Sequence, residues 1–239
     1  MSPIHRQKSP GPRWSPARSR IPPSGKRLSP IWQAPLPIER PLNHRPDITL
    51  ALLAGGQSRR FGDRDKLSAS LGGKMLGLHA AETAAALPFA CKLLIGSPDH
   101  RCAPQWRALG YQILANQDAA LGQATSVRLA AAHAIDSGTS ALCILLADMP
   151  FVTGAHLAQL LAAFAQSGGT IASSRHGQSM PPAIFSRDRL ESLLVVEGDS
   201  GARKLLAEAH LIPGDDPVLV DIDTEADLAR AEIIHNNIH

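Results

Sequence analysis

Two nearly continuous apolar runs dominate the hydrophobic pattern of the chain. The first, at residues 48–54, ends in Gly55-Gly56, and the second, at residues 141–147, ends in Asp148. Runs of this length without alternating polar positions are typical of strands that are buried on both faces of a parallel sheet. Shorter segments predict further strands at residues 91–95, 111–114, 170–173, 183–185 and 217–221.

Between these strands, apolar residues recur at the spacing of amphipathic helices. Predicted helical segments are marked by Leu76, Ala80, Thr83 and Leu87, by the alanine-rich residues 123–135, and by Leu157, Leu160, Leu161 and Phe164. Asp199 or Ser200 is a candidate cap for a helix that continues to about Glu208, and Thr224-Glu-Ala-Asp227 resembles a capping box. Strands that alternate with helices predict an α/β fold with a doubly wound, mostly parallel sheet, whose ligands bind beyond the carboxyl ends of the strands.

Residues 1–46 differ in composition from the rest of the chain. They contain 11 of the 19 prolines and nine Lys/Arg against one acidic residue, Glu39. This composition predicts a disordered tail, followed by one domain at residues 47–239. A basic arm, an over-extended gene start and a transit peptide are the alternative interpretations of the tail, although the prolines would break the amphipathic helix of a transit peptide.

The charge balance of the predicted domain argues against a specific nucleic-acid partner. The tail carries +8 and the remaining residues carry −5, so the basic character of the whole chain belongs to the tail. No apolar stretch is long enough to predict a membrane span, and no secretory signal is visible. The three cysteines are odd in number and match no metal motif, which favours a reducing compartment and hence a cytoplasmic protein.

A glycine-rich segment directly follows the first predicted strand. Gly55 and Gly56 allow the backbone to approach a ligand closely, and successive amides in such a turn can point at phosphate oxygens. Arg60 and Lys66 would add full positive charges, and a further glycine stands at Gly62. The segment has neither the spacing of a dinucleotide fingerprint nor that of a Walker loop. It predicts a phosphate-binding turn, with an ordinary solvated loop as the alternative.

The second apolar run ends in a carboxylate. Asp148 precedes Met149-Pro150, and a hard oxygen ligand at a strand end suits Mg²⁺, which binds one or two carboxylates together with substrate phosphates. A helix cap or turn residue is the alternative interpretation of Asp148. The glycine-rich segment in the same chain favours the metal.

The segment Leu53-Ala-Gly-Gly-Gln-Ser-Arg-Arg-Phe-Gly-Asp-Arg-Asp-Lys66 resembles the signature L-A-x-G-x-S-x-R-[MF]-G-x-x-x-K of nucleotidyltransferases that act on the molybdenum cofactor. The resemblance implies a Rossmann-like nucleotidyltransferase fold and extends over roughly residues 48–232. It implies catalytic roles for Lys66, Arg60 and Asp148. The nucleotide-binding residues implied by it are Leu53, Ala54, Gly55, Gly56, Ser58, Lys66 and Ser126.

Two other segments of the chain also resemble family elements, and they imply the roles of Ser126 and of the metal site. Leu121-Gly-Gln-Ala-Thr-Ser-Val-Arg128 is similar to the family element where the base and ribose bind, and helix capping is the alternative interpretation. The Asp-x-Pro element at Asp148 is similar to the family's metal site. The resemblance therefore implies Mg²⁺, with Mn²⁺ as an alternative, on Asp148 with assistance from Asp223.

Three segments of the second half resemble the acceptor-binding elements of the cytidylyl-transferring branch. They are Met180-Pro-Pro-Ala-Ile-Phe185, Gly198-Asp-Ser-Gly-Ala-Arg203 and Val220-Asp-Ile-Asp-Thr-Glu-Ala-Asp-Leu228. The resemblance implies that Asp199 and Arg203 contact the pterin or its phosphate, with capping or turn roles as alternatives. In contrast, Leu53-Ala54-Gly55-Gly56 is more similar to the guanylyl-transferring branch.

The resemblance, together with these features, implies an enzyme that transfers CMP from CTP to the terminal phosphate of molybdopterin and releases pyrophosphate. The expected partners are CTP or GTP, molybdopterin or the molybdenum cofactor, and a molybdoenzyme apo-protein or its chaperone. The alternatives are a GTP-dependent guanylyltransferase, transfer to another acceptor such as a sugar phosphate, and a non-catalytic carrier of the cofactor.

Overall fold

The computed structural model describes residues 47–56, 60–61, 65–198 and 205–238. Among these residues it forms a seven-stranded sheet and a separate two-stranded hairpin, with helices on both faces of the larger sheet. The strands are β1 (Ile48–Leu53), β2 (Ser70–Leu71), β3 (Lys74–Met75), β4 (Cys91–Ile95), β5 (Gln112–Leu114), β6 (Ala141–Leu146), β7 (Thr170–Arg175), β8 (Gln178–Ser186) and β9 (His210–Pro213). The helices are α1 (Leu76–Ala85), α2 (Ala103–Ala108), α3 (Gln123–Asp136), α4 (Gly154–Ser167), α5 (Leu190–Leu194) and α6 (Glu225–Ile238).

The large sheet is mostly parallel, as the sequence predicts. Its strand order is β5-β4-β1-β6-β8-β7-β9. Strands β5, β4, β1 and β6 are parallel, whereas β8 is antiparallel to both β6 and β7. The two predicted apolar runs, β1 and β6, are therefore direct neighbours at the centre of the sheet.

The continuous apolar run of β1 is explained by burial on both sides. Leu50 and Leu52 pack with residues of α1 and α4 on one face, whereas Ala51 and Leu53 pack with residues of α3 and α5 on the other. Successive side chains of a strand point to opposite faces, so both sets must be apolar. Both faces of the central strands are therefore largely shielded from solvent.

A third cluster of buried side chains joins the hairpin to the last helix. Phe61, Leu71 and Leu76 pack with Ile222 and Ala231. This cluster brings the segment after the glycine-rich turn close to the segment before α6. It thereby positions two parts of the candidate site that are more than 150 residues apart in the chain, since Arg60 and Asp223 are separated by 163 positions.

The predicted strand at residues 217–221 is wrong. In this segment the Val218 amide donates to the Asp215 carbonyl at 2.8 Å and the Val220 amide donates to the Pro217 carbonyl at 3.0 Å, which are turn bonds rather than ladder bonds. Leu219 is fully buried within a turn, and this burial accounts for the apolar pattern. The sheet edge is formed instead by β9, which pairs with β7.

Strand β8 is longer than the predicted segment at residues 183–185, because a shift in register lets the strand continue past two prolines. The register of β7 and β8 shifts so that Ala172 is opposite Ala183 and Ser173 is opposite Met180, leaving Pro181 and Pro182 without ladder partners. Proline cannot donate to a ladder and is tolerated at such an irregularity. Met180 and Pro181, next to this bulge, line the cleft described below. The predicted helix at residues 199–208 lies largely outside the described residues.

Candidate active site

A cleft of about 900 Å³ opens where the central parallel strands end. Leu53 of β1 is opposite Leu146 of β6, so the residues after both strands lie at one edge of the sheet. The Ala147 amide donates to the Leu53 carbonyl at 3.0 Å and extends this pairing past the end of β6. The cleft lining includes Gly55, Gly56, Arg60, Lys66, Ser126, Asp148, Met180, Asp221 and Asp223.

Lys66 lies between two carboxylates on the cleft wall. Its Nζ contacts Asp148 Oδ2 at 2.6 Å and Asp223 Oδ1 at 3.3 Å. The Lys66 side chain is 9% exposed and that of Asp148 is 20% exposed. The structure thus brings together the lysine that follows the glycine-rich segment, the aspartate that follows β6 and the aspartate that precedes α6.

Burial and charge shift the protonation equilibria of this pair. Burial raises the pKa of Asp148 above its usual value, and the attraction of Lys66 only partly opposes this effect, while Asp221 and Asp223 add repulsion. For Lys66, burial alone would lower the pKa, but Asp148 and then Asp223 outweigh it and raise the pKa. Lys66 therefore keeps its positive charge at neutral pH.

The backbone around Lys66 is held by a capped 3-10 turn at Lys66–Ser68. Asp65 caps this turn by accepting from the Leu67 and Ser68 amides at 3.3 and 3.0 Å. His100 Nε2 lies 2.7 Å from Asp65 Oδ2. Burial would raise the pKa of Asp65, but the contacts with His100 and Ser68 outweigh it and lower the pKa to about 2. The carboxylate that holds the turn therefore stays ionised well into the acid range.

Asp223 is positioned by the start of α6 and by the segment after β6. Thr224 and Asp227 form the predicted capping box: the Thr224 amide donates to Asp227 Oδ2 at 2.8 Å, and the Asp227 amide donates to Thr224 Oγ1 at 3.1 Å. The Ile222 amide donates to the Asp148 carbonyl at 3.0 Å, which ties the two acidic segments together. Arg60 Nη1 donates to Asp223 Oδ2 at 3.0 Å from the open side of the cleft.

The acidic residues fit a divalent cation that is shared with a ligand. Asp148 Oδ1 is buried and has no hydrogen-bond partner among the described residues. No group of three or more His, Cys, Asp or Glu residues that could hold a metal occurs in the described part of the chain. Mg²⁺ needs only one or two carboxylates when substrate phosphates and water complete its shell. Asp148 and Asp223 are the residues that would hold the cation. Lys66, which contacts both carboxylates, would lie close to the phosphates bound to that cation.

The other wall of the cleft meets the glycine-rich turn at Ser126. A Cβ atom added to Gly55 would lie 3.1 Å from Ser126 Oγ, which is tighter than ordinary contact. Ser126 is 3% exposed and lies in the first turn of α3. It accepts a hydrogen bond from Asn116 Nδ2 at 2.9 Å. The absence of a side chain at Gly55 is thus required for the close approach of β1 and α3 at this point.

The side of the cleft built from β8 is largely apolar. Met180, Pro181, Ala183 and Phe185 all line it. Arg128, the last residue of the segment that resembles the base- and ribose-binding element, donates from Nη1 to the Val196 carbonyl at 2.7 Å. Arg128 thus joins α3 to the segment after α5, and in this structure its guanidinium is engaged with protein backbone.

Most of the site residues predicted from sequence lie in or beside this cleft. The cleft is lined by Leu53, Gly55, Gly56, Arg60, Lys66, Ser126, Asp148 and Asp223. Ala54 is held beside the cleft, because its amide donates a hydrogen bond of 2.9 Å to the Ile95 carbonyl. The predicted ligands Ser58, Asp199 and Arg203 lie outside the described residues. Sequence reasoning missed Asn116 and Asp221. The acidic pair of Asp221 and Asp223, separated by one residue, was a visible signal for Asp221, whereas Asn116 carries no motif.

The fold and the cleft define an α/β protein whose ligand site lies at the carboxyl edge of a mostly parallel sheet. The family described as MobA-like NTP transferase domain matches residues 50–212. The chain belongs to this family and is a nucleotidyltransferase. It is 32% identical over 195 residues to the purine catabolism protein PucB of Bacillus subtilis (strain 168), an alignment that covers 74% of this chain and 93% of that protein.

Several solved structures share the fold. A homologue, from Mycobacterium sp. strain JC1, of the Mycobacterium tuberculosis protein Rv0371c superposes with a TM-score of 0.69 at 24% identity, covering 82% of this chain and all of that one. Molybdopterin-guanine dinucleotide biosynthesis protein A from Archaeoglobus fulgidus superposes with a TM-score of 0.59 at 22% identity, covering 79% and 99% of the two chains. Rv0371c in complex with manganese gives a TM-score of 0.60 at 21% identity, covering 80% and 100%.

None of the helices in the described part of the chain combines the length and the apolar character that crossing a membrane requires.

Proposed function

We propose that this nucleotidyltransferase transfers CMP from CTP to the terminal phosphate of molybdopterin, or of the molybdenum cofactor, and releases pyrophosphate. The observation that carries the proposal is the arrangement of Lys66 between Asp148 and Asp223 in one cleft with Gly55 and Gly56. A lysine and a carboxylate pair next to a glycine turn suit a metal-bound triphosphate better than they suit an uncharged ligand.

The residues of the chain would act by positioning and by charge. The turn at Gly55 and Gly56 would receive the phosphates, and Lys66 would stabilise the negative charge that develops at the α-phosphate. Arg60, which contacts Asp223 at the open side of the cleft, is 78% exposed in its side chain and would reach the outer phosphates. In-line attack by the acceptor phosphate requires that both substrates be held together, and no covalent intermediate with the protein is needed.

Asp148 and Asp223 would hold the divalent cation, which we propose to be Mg²⁺ with Mn²⁺ as an alternative. When bound, the cation would neutralise phosphate charge and help pyrophosphate to leave. The unpartnered Asp148 Oδ1 supports this assignment, because a buried carboxylate oxygen without a donor is costly unless a ligand completes it. The manganese complex of the Mycobacterium tuberculosis protein, which shares the fold, is consistent with it.

The proposed acceptor and nucleotide rest on two segments, Met180–Phe185 and Gly198–Arg203, that resemble acceptor-binding elements of the cytidylyl-transferring branch. Met180 and Phe185 belong to the segment that resembles a cytidylyl-type acceptor element, and they line the apolar side of the cleft, where a flat pterin would pack. Asp199 and Arg203 remain proposed acceptor contacts. The name of the Bacillus subtilis relative, a purine catabolism protein, suggests an enzyme of purine breakdown, or its chaperone, as the recipient of the finished cofactor. We assign the reaction to the cytoplasm, where thiols such as Cys102 and Cys143 stay reduced.

Two alternatives follow from particular features. Leu53-Ala54-Gly55-Gly56 resembles the guanylyl-transferring branch, which favours GTP as the second candidate donor. A non-catalytic carrier of the cofactor would need neither Asp148 nor Lys66. The test is pyrophosphate release with each of four nucleoside triphosphates, with and without molybdopterin. Release that requires both CTP and molybdopterin supports the proposal, release with GTP supports the guanylyl alternative, and no release with any triphosphate contradicts nucleotidyl transfer.

A further inference from the structure

A chain of hydrogen bonds between Asn116 and α3 has a direction that can be read from its donors. The Asp118 amide donates to the Asn116 side chain at 3.0 Å, so the atom that faces Asp118 must be the carbonyl oxygen Oδ1. The Asn116 NH₂ group therefore faces α3, where it donates to Thr125 Oγ1 at 2.8 Å and to Ser126 Oγ at 2.9 Å. Both amide hydrogens of Asn116 are used by this arrangement.

The two hydroxyls that receive these bonds differ in what their own hydrogens do. Thr125 donates back to the Gly122 carbonyl at 2.8 Å or to the Asp118 carbonyl at 3.1 Å, so its hydrogen is engaged by the loop. Ser126 Oγ accepts from Asn116, and no acceptor for its hydroxyl hydrogen is found in the part of the chain that the structure describes. Ser126 lines the cleft, and Gly55 closes one side of it.

We infer that Asn116 is a positioning residue that presents the Ser126 hydroxyl to the cleft as a hydrogen-bond donor. This inference rests on the proposed nucleotide-binding function. The partner of Ser126 would then be an acceptor atom of the nucleotide. The loop beside Ser126 contributes Ala119, Ala120 and Leu121 to the cleft and no charge. These neutral surroundings suit an oxygen of the ribose or a carbonyl oxygen or ring nitrogen of the base.

Asn116→Asp tests the direction of this chain with almost no change in shape. The aspartate can still accept from the Asp118 amide, but its second oxygen cannot donate. Ser126 would then have to donate to the carboxylate, and its hydrogen would no longer be available to a ligand. The dissociation constant of the triphosphate should rise roughly threefold to tenfold, the range for one neutral hydrogen bond, and Ser126→Ala should give a similar rise.

Calorimetric titration with CTP and GTP in the presence of Mg²⁺ measures these effects, with thermal unfolding as a check on folding. The double variant N116D/S126A should bind no more weakly than S126A, because both changes remove the same donor. Thr125→Val removes the other hydroxyl that accepts from the Asn116 NH₂ group, and Thr125 does not line the cleft. This variant should change the dissociation constant of the triphosphate less than twofold.

Three results would overturn the inference. They are unchanged nucleotide binding in N116D, a further loss when N116D is added to S126A, and a loss in Thr125→Val as large as that in N116D. Either of the last two results would mean that Asn116 affects nucleotide binding through the shape of the loop or through charge, and not through the Ser126 hydroxyl. If the wild-type protein bound none of the triphosphates, the proposed function would fail as well, whereas normal wild-type binding with an unaffected N116D would remove this inference alone.

Discussion

Replacing Lys66 by methionine removes one charge and keeps the approximate length of the side chain. In the structure Lys66 Nζ is 2.6 Å from Asp148 Oδ2 and 3.3 Å from Asp223 Oδ1, and only 9% of the lysine side chain is exposed. The variant therefore leaves Asp148 without its cation in a largely buried position. Asp223 is less affected, because Arg60 still contacts it at 3.0 Å.

The magnitude of the loss follows from the burial of the pair. Breaking a buried ion pair by removal of one partner costs about 3–5 kcal/mol. Burial already raises the pKa of Asp148, so this group can take up a proton instead of remaining an unpaired charge. We therefore expect a loss at the low end, about 3 kcal/mol, which corresponds to a fall in the unfolding temperature of about 6–12 °C for a domain of this size.

Lys66→Met should also lose catalysis beyond its loss of stability. Removal of one electrostatic stabiliser costs on the order of 10²–10³ in turnover. The assay is pyrophosphate release below the unfolding temperature of the variant, with Lys66→Arg as the control that keeps a positive charge and should lose less stability. Added Mg²⁺ should raise the unfolding temperature of the methionine variant more than that of the wild-type protein, because the two carboxylates then lack their ammonium partner.

A Lys66→Met protein with the unfolding temperature and the turnover of the wild type would show that neither stability nor catalysis depends on this charge. A variant that loses stability but not turnover would contradict the catalytic role alone. In that case the ion pair would be structural, and the lysine would not act on the phosphates.

Three further predictions concern the supports of the site. Gly55→Ala should raise the KM for the nucleotide, because its Cβ would lie 3.1 Å from Ser126 Oγ, whereas Gly154→Ala, whose Cβ would meet nothing within 4 Å, should leave the KM unchanged in steady-state kinetics. Thr224→Ala removes the cap of α6 beside Asp223 and should lower the free energy of unfolding by about 1 kcal/mol in denaturant titrations, and an unchanged value would contradict the role of the capping box. The pKa of Asp65 is lowered from 3.8 to about 2, because the contacts with His100 and Ser68 outweigh the effect of burial. The ionised Asp65 therefore stabilises the fold at pH values above its unfolded-state pKa. This contribution is lost as the pH falls toward 2. Asp65→Asn should therefore unfold at a temperature that depends less steeply on pH in this acid range, and an unchanged slope would argue against the effect.

The central strands and one edge of the site could be predicted from the sequence because their signals are local. Burial on both faces of β1 and β6 forces a continuous apolar run, and the parallel pairing of the two strands brings Gly55 and Asp148 to the same edge. The capping box at Thr224 is likewise a signal of four consecutive residues. The family signature added roles for Lys66 and Asp148 that spacing alone does not supply.

The contacts that complete the site could not be read from local patterns. Asp223 meets Lys66 across 157 positions of the chain. The packing of Phe61 and Leu71 against Ile222 and the hydrogen bond from the Ile222 amide to the Asp148 carbonyl both hold these segments together. The strand expected at residues 217–221 was wrong because burial of Leu219 in a turn leaves the same apolar pattern as burial in a strand. Asn116 acts through side-chain hydrogen bonds to residues nine and ten positions away, which no periodicity reveals.

The most direct test of the proposed site is the turnover of Asp148→Ala in the presence of Mg²⁺. The measurement follows the transfer of the nucleotide from CTP to molybdopterin together with pyrophosphate release, with the unfolding temperature recorded to show that the variant is folded. We predict a folded protein whose turnover falls on the order of 10²–10³-fold, because the carboxylate that would hold the cation opposite Lys66 is gone. A folded Asp148→Ala protein with nearly normal turnover would contradict the proposed role of Asp148.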